Sequence, residues 1–554
     1  MNKLERLKPY KSADPMETVH RIRRILFEND IFVIESVQKR DPLTGVCSCR
    51  IILGDEGLRE LNIGSNGKGM NTRYALASAY AEFMERLQSG AMLWKVEGIS
   101  DTLPNAVPMT KEELEKAAGI LMKLAYGESE DIDNIAKQYT SETENATAVT
   151  FTEYGTGKNV IFPSALLNKM TGSNGMASGN TVLEATIQGL SEIFEREAIQ
   201  HLFLEKVTPP VIEEQIFEGT DVLDRLRRLK RAGINYRILD CSLGKGLPVI
   251  GLLIEKENRY HIHFGADPSP ITALERCLTE TFQGRELDNI PLYLPLEETE
   301  DRRVLFENER KEYTDSTGQV PVWLIDGQES WKFDGFRHPV SVSDEDDMAY
   351  YLQILDEMEK KLYVRECGFC GFPTVRLYVP GMTENHCPEP SYCLDKQMPK
   401  HLKEYMRRMP LLTDEEHEKL ADGISQWLCE KFGINGAEDF ISADSIGLKY
   451  IFPIGHFSGR QWDERLLVAA IYLRGGRKEQ GMELLNRYIS ESGLYAPKAE
   501  MLRARLSSRA LTFLPTEWSQ CPDCSTCRAQ NRCYQKKIEK WKENMNHWRE
   551  KNET

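Results

Sequence analysis

The chain has 554 residues, more than one hydrophobic core usually organises, so two or more domains are expected. Its 41% hydrophobic and 28% charged residues exclude a disordered or fibrous chain. With 70 Lys plus Arg against 86 Asp plus Glu, the net charge of -16 leaves no global basic field, so neither nucleic acid nor anionic lipid is an expected partner. The longest apolar run, residues 247–254, is strand-sized and contains Pro248 and Gly251, far short of a membrane span. The start lacks the apolar core of a secretory signal, which leads us to expect a cytoplasmic protein. In a reducing compartment, 13 cysteines argue for metal, redox chemistry or burial rather than a disulfide framework.

To about residue 400, short β-rich runs alternate with amphipathic helices, an α/β or α+β pattern. A helix opens near Pro15, with Val19, Ile22, Ile25 and Leu26 on one face. Strands are expected at 31–34, 47–53, 236–239, 248–254 and 261–264, and long helices at about 71–88, 182–202 and 271–286. Beyond residue 400 the β signal fades, apart from 450–452. Leu466, Ala470 and Leu473, then Met482, Leu485 and Ile489, are spaced for paired helices turning at Gly475 and Gly476. These make either a tetratricopeptide-like hairpin or a plain helical cap. The expected division is 1–400, a helical 401–515, and a 516–554 tail with clustered cysteines and a basic helix.

Two segments echo each other. Ser65-Asn-Gly-Lys-Gly-Met-Asn-Thr72 leads to Ser78, Glu82, Glu85 and Arg86; Ser173-Asn-Gly-Met-Ala-Ser-Gly-Asn-Thr181 leads to Glu184, Gln188, Glu192, Glu195 and Arg196. A looser third version follows residues 261–264, with Glu280, Gln283 and Arg285. The spacings put each polar set on one helical face, while Ala75, Ala79 and Phe83, and Ile187, Leu190, Ile193 and Phe194, supply the core faces. Carboxylates one turn apart repel by roughly a few tenths of a kcal/mol in water and by more when buried, so a cation belongs between them. A surface row of glutamates balanced by Arg86 and Arg196 is the alternative. Oxygen donors without His or Cys suit Mg²⁺, which bridges carboxylates to nucleotide phosphates. The turn expected at 66–69 can bring backbone amides and Lys68 to such phosphates, although no Walker A pattern occurs.

These two motifs, with Ala273-Leu-Glu-Arg-Cys-Leu-Thr-Glu-Thr-Phe-Gln-Gly-Arg285 and Val379-Pro-Gly-Met382, resemble the YcaO superfamily over about residues 5–400. The resemblance implies a YcaO-type ATP-binding domain that activates a backbone amide of a peptide or ribosomal protein. A nucleophile adds to the amide carbonyl, the oxyanion attacks the γ-phosphate, and phosphate then leaves. It implies ATP contacts from Lys11, Thr18, Lys68, Ser78, Arg86, Glu184, Gln188, Arg196 and Arg285, and Mg²⁺ on Glu82, Glu85, Glu192 and Glu195; Thr18 departs from the family's Ser but keeps a hydroxyl. A side-chain nucleophile gives an azoline and sulfide a thioamide. Azoline-forming members end in a Pro-rich tail, whereas no Pro follows Pro522 here. The expectation is therefore thioamidation or an accessory role in ribosomal-protein β-methylthiolation, with a sulfur-delivery or radical enzyme as partner. An azoline-forming cyclodehydratase, a non-catalytic recruitment scaffold and a homodimer stay open.

Cys521, Cys524, Cys527 and Cys533 have the spacing of a Zn²⁺ or iron-sulfur site, with reduced thiols as the alternative. Cys367 and Cys370, with Cys387, Cys393 and His386, make a second such set or separately buried thiols. Cys47 and Cys49 share a strand face and read as packing. In the tail helix, Glu539 and Glu543 interrupt Lys536, Lys537, Lys540 and Lys542, as on a solvated face.

Overall fold

The computed structural model describes residues 4–6, 11–54, 63–93, 106–143, 146–283, 285, 290–385, 399–407, 412–432, 434–436, 464–491 and 543. The cysteines at 387, 393, 521, 524, 527 and 533, His386, and residues 450–452 lie outside them.

After β1 (Glu5–Arg6), α1 (Pro15–Glu28) starts on a capping box. Asp14 accepts from the Met16 N–H at 2.9 Å, Glu17 accepts from the Asp14 N–H at 3.3 Å, and Pro15 fills the first turn, where no donor is needed. Val19, Ile22 and Leu26 share a core with the antiparallel sheet β2 (Val33–Arg40), β3 (Cys47–Leu53) and β4 (Gly64–Gly69), and with α2 (Thr72–Gln88). Cys47 and Cys49 are buried there, as expected of packing residues. In place of the turn expected at 66–69, Asn66 pairs with Arg50 and Lys68 with Ser48 across β3. The glycines make a strand because α2 lies directly on it; a Cβ on Gly67 would stand 2.0 Å from the Ala75 carbonyl oxygen.

A second sheet runs in the order β5 (Val107–Pro108), β6 (Thr147–Glu153), β14 (Tyr363–Glu366), β15 (Thr374–Tyr378), β8 (Met176–Ser178), with β7 (Asn159–Pro163) also on β6. Helices α3 (Lys111–Tyr126), α4 (Glu130–Glu142) and α5 (Ser164–Thr171) accompany it. Next comes α6 (Val182–Leu204), which packs on β8 and β15 and on strand β12 of a third sheet. That sheet is antiparallel, β12 (Arg259–Ala266), β11 (Val249–Lys256), β10 (Asn235–Asp240), β9 (Val211–Ile212), covered by α7 (Asp221–Arg231) and α8 (Pro270–Thr281). α8 stops short of the expected residue 286, because Phe282 turns into the core at 2% exposure and the chain continues in tight turns.

α9 (Arg302–Asp315), α10 (Val322–Asp326) and α11 (Asp344–Glu357) complete the shell around α6, and β13 (Val340–Ser341) pairs in parallel with β1. α12 (Lys400–Arg407), α13 (Asp414–Phe432), α14 (Glu464–Arg474) and α15 (Lys478–Glu491) bury a separate core that includes Leu420, Ile424, Leu428, Leu467, Ile471 and Leu485. The α14–α15 turn uses Gly476 at φ +81°, a conformation glycine adopts without penalty. Among the described residues, no helix is long and apolar enough to cross a membrane.

Candidate functional site

Three strand–helix units share one construction. A glycine in the strand, or directly after it, lies flat beneath the following helix, so that an added Cβ would meet backbone: Gly67 against Ala75 O at 2.0 Å, Gly179 against Ala185 N at 2.7 Å, Gly265 against Ala273 O at 2.3 Å. Counting forward from those three alanines puts Ser78, Gln188 and Arg276 in one register, then Glu82, Glu192 and Glu280, then Glu85, Glu195 and Gln283. The echo between the first two segments is thus a repeated supersecondary unit, and the looser third version is its third copy.

α2 and α6 each lie against β8, and the Ser178 hydroxyl donates to Ala81 O at 2.5 Å, tying α2 to that strand. Behind them, Gln88 donates to Phe372 O at 2.9 Å and to Thr374 Oγ1 at 2.7 Å, anchoring α2 to β15. The acidic faces therefore converge. Arg86 stands 3.4 Å from Glu85 and 3.8 Å from Glu82; Arg196 stands 3.9 Å from Glu192. Lys68 on β4 is ion-paired with Glu280 of α8.

The electrostatics show how crowded this charge is. Burial lifts the carboxyl of Glu85 well above its ordinary range, with Arg86 pulling it down and Glu192 and Glu82 adding like charge. Burial raises Glu82 against the pull of Arg86 and Lys68, and Glu195 against that of Arg196 and Lys68. Burial lowers the Lys68 ammonium to about 8 even though Glu195, Glu82 and Glu192 favour its charge. Burial thus disfavours the ionised forms of Glu82, Glu85 and Glu195, which stand beside Glu192, and an incoming cation would restore them.

One end of α6 carries a second group. Lys11 donates to Gln188 Oε1 at 3.3 Å, and Arg276 donates to the same oxygen at 2.6 Å and to Asp267 at 3.0 Å. The Thr18 hydroxyl donates to Asn180 Oδ1 at 2.8 Å. Glu184 accepts from Ser12 N at 3.0 Å and from Asn180 N and Nδ2 at 3.3 Å each, so it serves as a buried hub for the helix start rather than joining the four converging glutamates. Ser78 is half-buried on the shared face of α2. Arg285, just past α8, lies near His261 and His263, whose rings meet Nε2 to Nε2 at 2.7 Å. Burial, with Arg285 adding repulsion, drives His261 down to about 3 and holds His263 well below its usual range.

Lys68, Glu82, Glu85, Arg86, Glu192, Glu195 and Arg196 are thus brought into one charged cluster, with Lys11, Thr18, Glu184 and Gln188 toward the N-terminal end of α6. Arg276, Asn180 and Tyr313 join them without having been singled out from sequence, and Glu280, named there only as part of the looser third version, joins them through Lys68. The register of the third unit is a signal for Arg276 and Glu280. Tyr313, on α9, carries none: its ring centre lies 3.8 Å from the Arg196 guanidinium, and its backbone oxygen accepts from Arg196 at 3.0 Å. Cys367 and Cys370 are buried free thiols, the separately buried alternative.

A family model described as YcaO cyclodehydratase, ATP- and Mg²⁺-binding, matches residues 66–383. The chain is similar to the ribosomal protein S12 methylthiotransferase accessory factor YcaO of Escherichia coli (strain K12), 26% identical over 499 residues that make up 86% of this chain and 81% of that protein. In fold it is similar to a heterocyclase solved in complex with substrate and cofactor, at 19% identity and a TM-score of 0.50. That match covers 68% of this chain and 53% of the other, so the chain spans about half the length of that heterocyclase. The YcaO of Methanopyrus kandleri bound with AMPPCP and Mg²⁺ aligns at 19% identity over 69% of this chain and 97% of its own, with a TM-score of 0.41. With the family model spanning more than half of its residues, the chain belongs to the YcaO family.

Proposed function

We propose that this protein uses ATP and Mg²⁺ to activate a backbone amide of a peptide or protein, with thioamidation, or an accessory role in β-methylthiolation of a ribosomal protein, as its product-level role. The observation that carries this is the convergence of Glu82, Glu85, Glu192 and Glu195 from two copies of one structural unit, with Lys68, Arg86 and Arg196 around them. The residues fit the cofactor. Three half-buried carboxyls disfavour their own charge, which a divalent cation would reverse, and the buried Arg196 Nε has no hydrogen-bond partner among the described residues. When bound, the nucleotide supplies a phosphoryl group that passes to the amide oxygen and leaves with it as phosphate, while the metal ions neutralise the phosphates.

In this reading Glu82, Glu85, Glu192 and Glu195 hold the metal ions, and Arg86 and Arg196 orient them from the adjacent helical turn. Lys68 gives up its contact with Glu280 to meet phosphate. Lys11, Arg276 and Gln188 form a polar anchor at the α6 start, with Ser78 alongside, while Glu184 and Thr18 brace it through Asn180. Arg285 offers a bidentate fork to a phosphate. The residues up to about 400 form the catalytic unit, and the helices from α12 onward dock the substrate or a sulfur-delivery or radical partner.

The E. coli relative's name makes ribosomal protein S12 the first substrate to try. The test is phosphate release from ATP with that protein and a sulfide donor, followed by mass spectrometry of the product. Exchange of amide oxygen for sulfur supports thioamidation, and loss of water supports the azoline alternative. Phosphate release that stays at background with every candidate peptide, and is the same in Glu85→Ala and Glu195→Ala, would leave the recruitment scaffold as the better account.

A further inference from the structure

A cavity of about 250 Å³ lies between the end of β10, the start of α8, residues 331–336 and α11. It adjoins the polar anchor of α6: Asp267 lines it and accepts from Arg276 at 3.0 Å, and Arg276 in turn donates to Gln188. Pockets that enclose a whole small-molecule ligand run to roughly 300–1,000 Å³, so this one suits a single side chain. Its walls are aromatic, from Trp331, Phe333, Phe336 and Tyr350. The Phe333 and Phe336 ring centres are 5.1 Å apart, and Tyr350 stacks on His338 at 4.8 Å.

One group in this wall lacks a counterpart. Asp240, the last residue of β10, is 5% exposed. Its Oδ1 accepts from Ser242 N at 3.1 Å, and its Oδ2 accepts from the Ser242 hydroxyl at 3.0 Å and from Trp331 Nε1 at 2.8 Å. All three donors are neutral, and a carboxylate offers about four acceptor sites, so one remains. Burial raises the Asp240 carboxyl above its usual range, and no cation among the described residues acts to bring it back. The neighbouring cations are engaged elsewhere: Arg276 with Asp267, Arg337 with Glu357, and His338 with Asp347 at 3.0 Å. Lys332 and Asp334 also line the cavity, but both are exposed and offset each other. A buried carboxylate is costly to keep without a positive partner, so this site is short of one cation.

The walls choose among cations. A guanidinium is planar and weakly hydrated, stacks on aromatic rings, and can give one N–H to the remaining acceptor site of Asp240. An ammonium is a compact, strongly hydrated charge that loses more on entering an aromatic cavity. The structure assigns this cavity to the guanidinium of an arginine side chain of the polypeptide substrate, held by Asp240 among the aromatic rings. The inference rests on the amide-activating reading and adds to it a means of selecting a sequence beside the nucleotide site.

The test uses the full chain labelled with 5-fluorotryptophan, without nucleotide, and N-acetyl-arginine methylamide as the probe. The ¹⁹F resonance missing from Trp331→Phe is expected to shift on titration. The citrulline analogue, which has the same shape but no charge, should bind at least about tenfold more weakly, the loss of one charge-assisted hydrogen bond. Asp240→Asn, checked for folding by its melting curve, should bring arginine down to the citrulline level. A resonance that stays in place, that moves equally with both probes, or that answers only to adenosine, overturns the inference. Phosphate release with ribosomal protein S12 tests the source of the arginine: Asp240→Asn should raise KM about tenfold and leave kcat unchanged, and an unchanged KM overturns the assignment to the substrate. Absence of phosphate release in the wild type refutes the amide-activating reading instead, while the nucleotide-free titration still judges the cavity.

Discussion

Glu85 carries much of the charge argument at the scale of single residues. Its side chain is 13% exposed, and burial lifts its carboxyl well above the usual range despite Arg86 at 3.4 Å. Metal ligation requires the ionised form, so any proton held by Glu85, Glu82 or Glu195 would have to leave for these carboxylates to hold Mg²⁺. The sign follows: acidification from about pH 7 to about pH 5 protonates these groups before ordinary carboxylates and weakens Mg²⁺-dependent nucleotide binding. Calorimetry in two buffers of different ionisation enthalpy should register net proton release on binding, reduced in Glu85→Gln; equal heats in both buffers would contradict the assignment. Arg196 offers a second check. Arg196→Lys keeps the charge but gives up the planar stack on Tyr313 and the fork of donors, an arrangement worth about 1 kcal/mol or more. Phosphate release should therefore fall nearly as far in Arg196→Lys as in Arg196→Ala. Near-normal activity in the lysine variant would reduce this residue to a point charge.

At the scale of elements, the repeated strand–helix unit explains what could be read beforehand and what could not. The two Glu-rich faces were visible because helical periodicity follows from residue spacing alone. The strand character of Gly64–Gly69 was hidden, since a Gly-rich run favours a turn by local preference and only the helix lying across it imposes extension. Arg276 was hidden for a related reason: its register with Ser78 and Gln188 becomes countable only once Gly265 is seen beneath Ala273. This construction makes the glycines testable. In Gly67→Ala the new Cβ would stand 2.0 Å from Ala75 O and 2.7 Å from Ala79 Cβ, both fixed groups. Overpacking of this kind costs about 1–3 kcal/mol and pushes α2 outward. Urea melts should register that loss, and nucleotide affinity should fall with it; an unperturbed variant would mean that α2 does not bear on β4 so tightly.

Over the whole molecule, α6 ties the sheets together, and the site lies where elements far apart in the chain meet it. Lys11, Lys68, Glu85, Gln188, Arg276 and Tyr313 come from six separate stretches. Tyr313 gave no signal for that reason, since nothing local marks an aromatic whose role depends on α9 packing against α6. The helices from α12 to α15 bury their own core, including Trp427, Leu428 and Leu467. Denaturant unfolding is therefore expected to show two transitions, and a chain ending near residue 399 should keep the nucleotide-sensitive one. A single transition lost on truncation would show the two cores to be one cooperative unit.

The central claim is that the acidic faces of α2 and α6 grip a nucleotide through divalent cations. Titration of the full chain with AMPPCP, with and without Mg²⁺, tests it most directly in the wild type, Glu85→Gln and Glu195→Gln. The account predicts Mg²⁺-dependent binding, weakened by more than about 100-fold in each variant, since losing even an outer partner of a metal ligand costs ~10–100-fold. Binding that is indifferent to Mg²⁺, or that both variants retain, would contradict it.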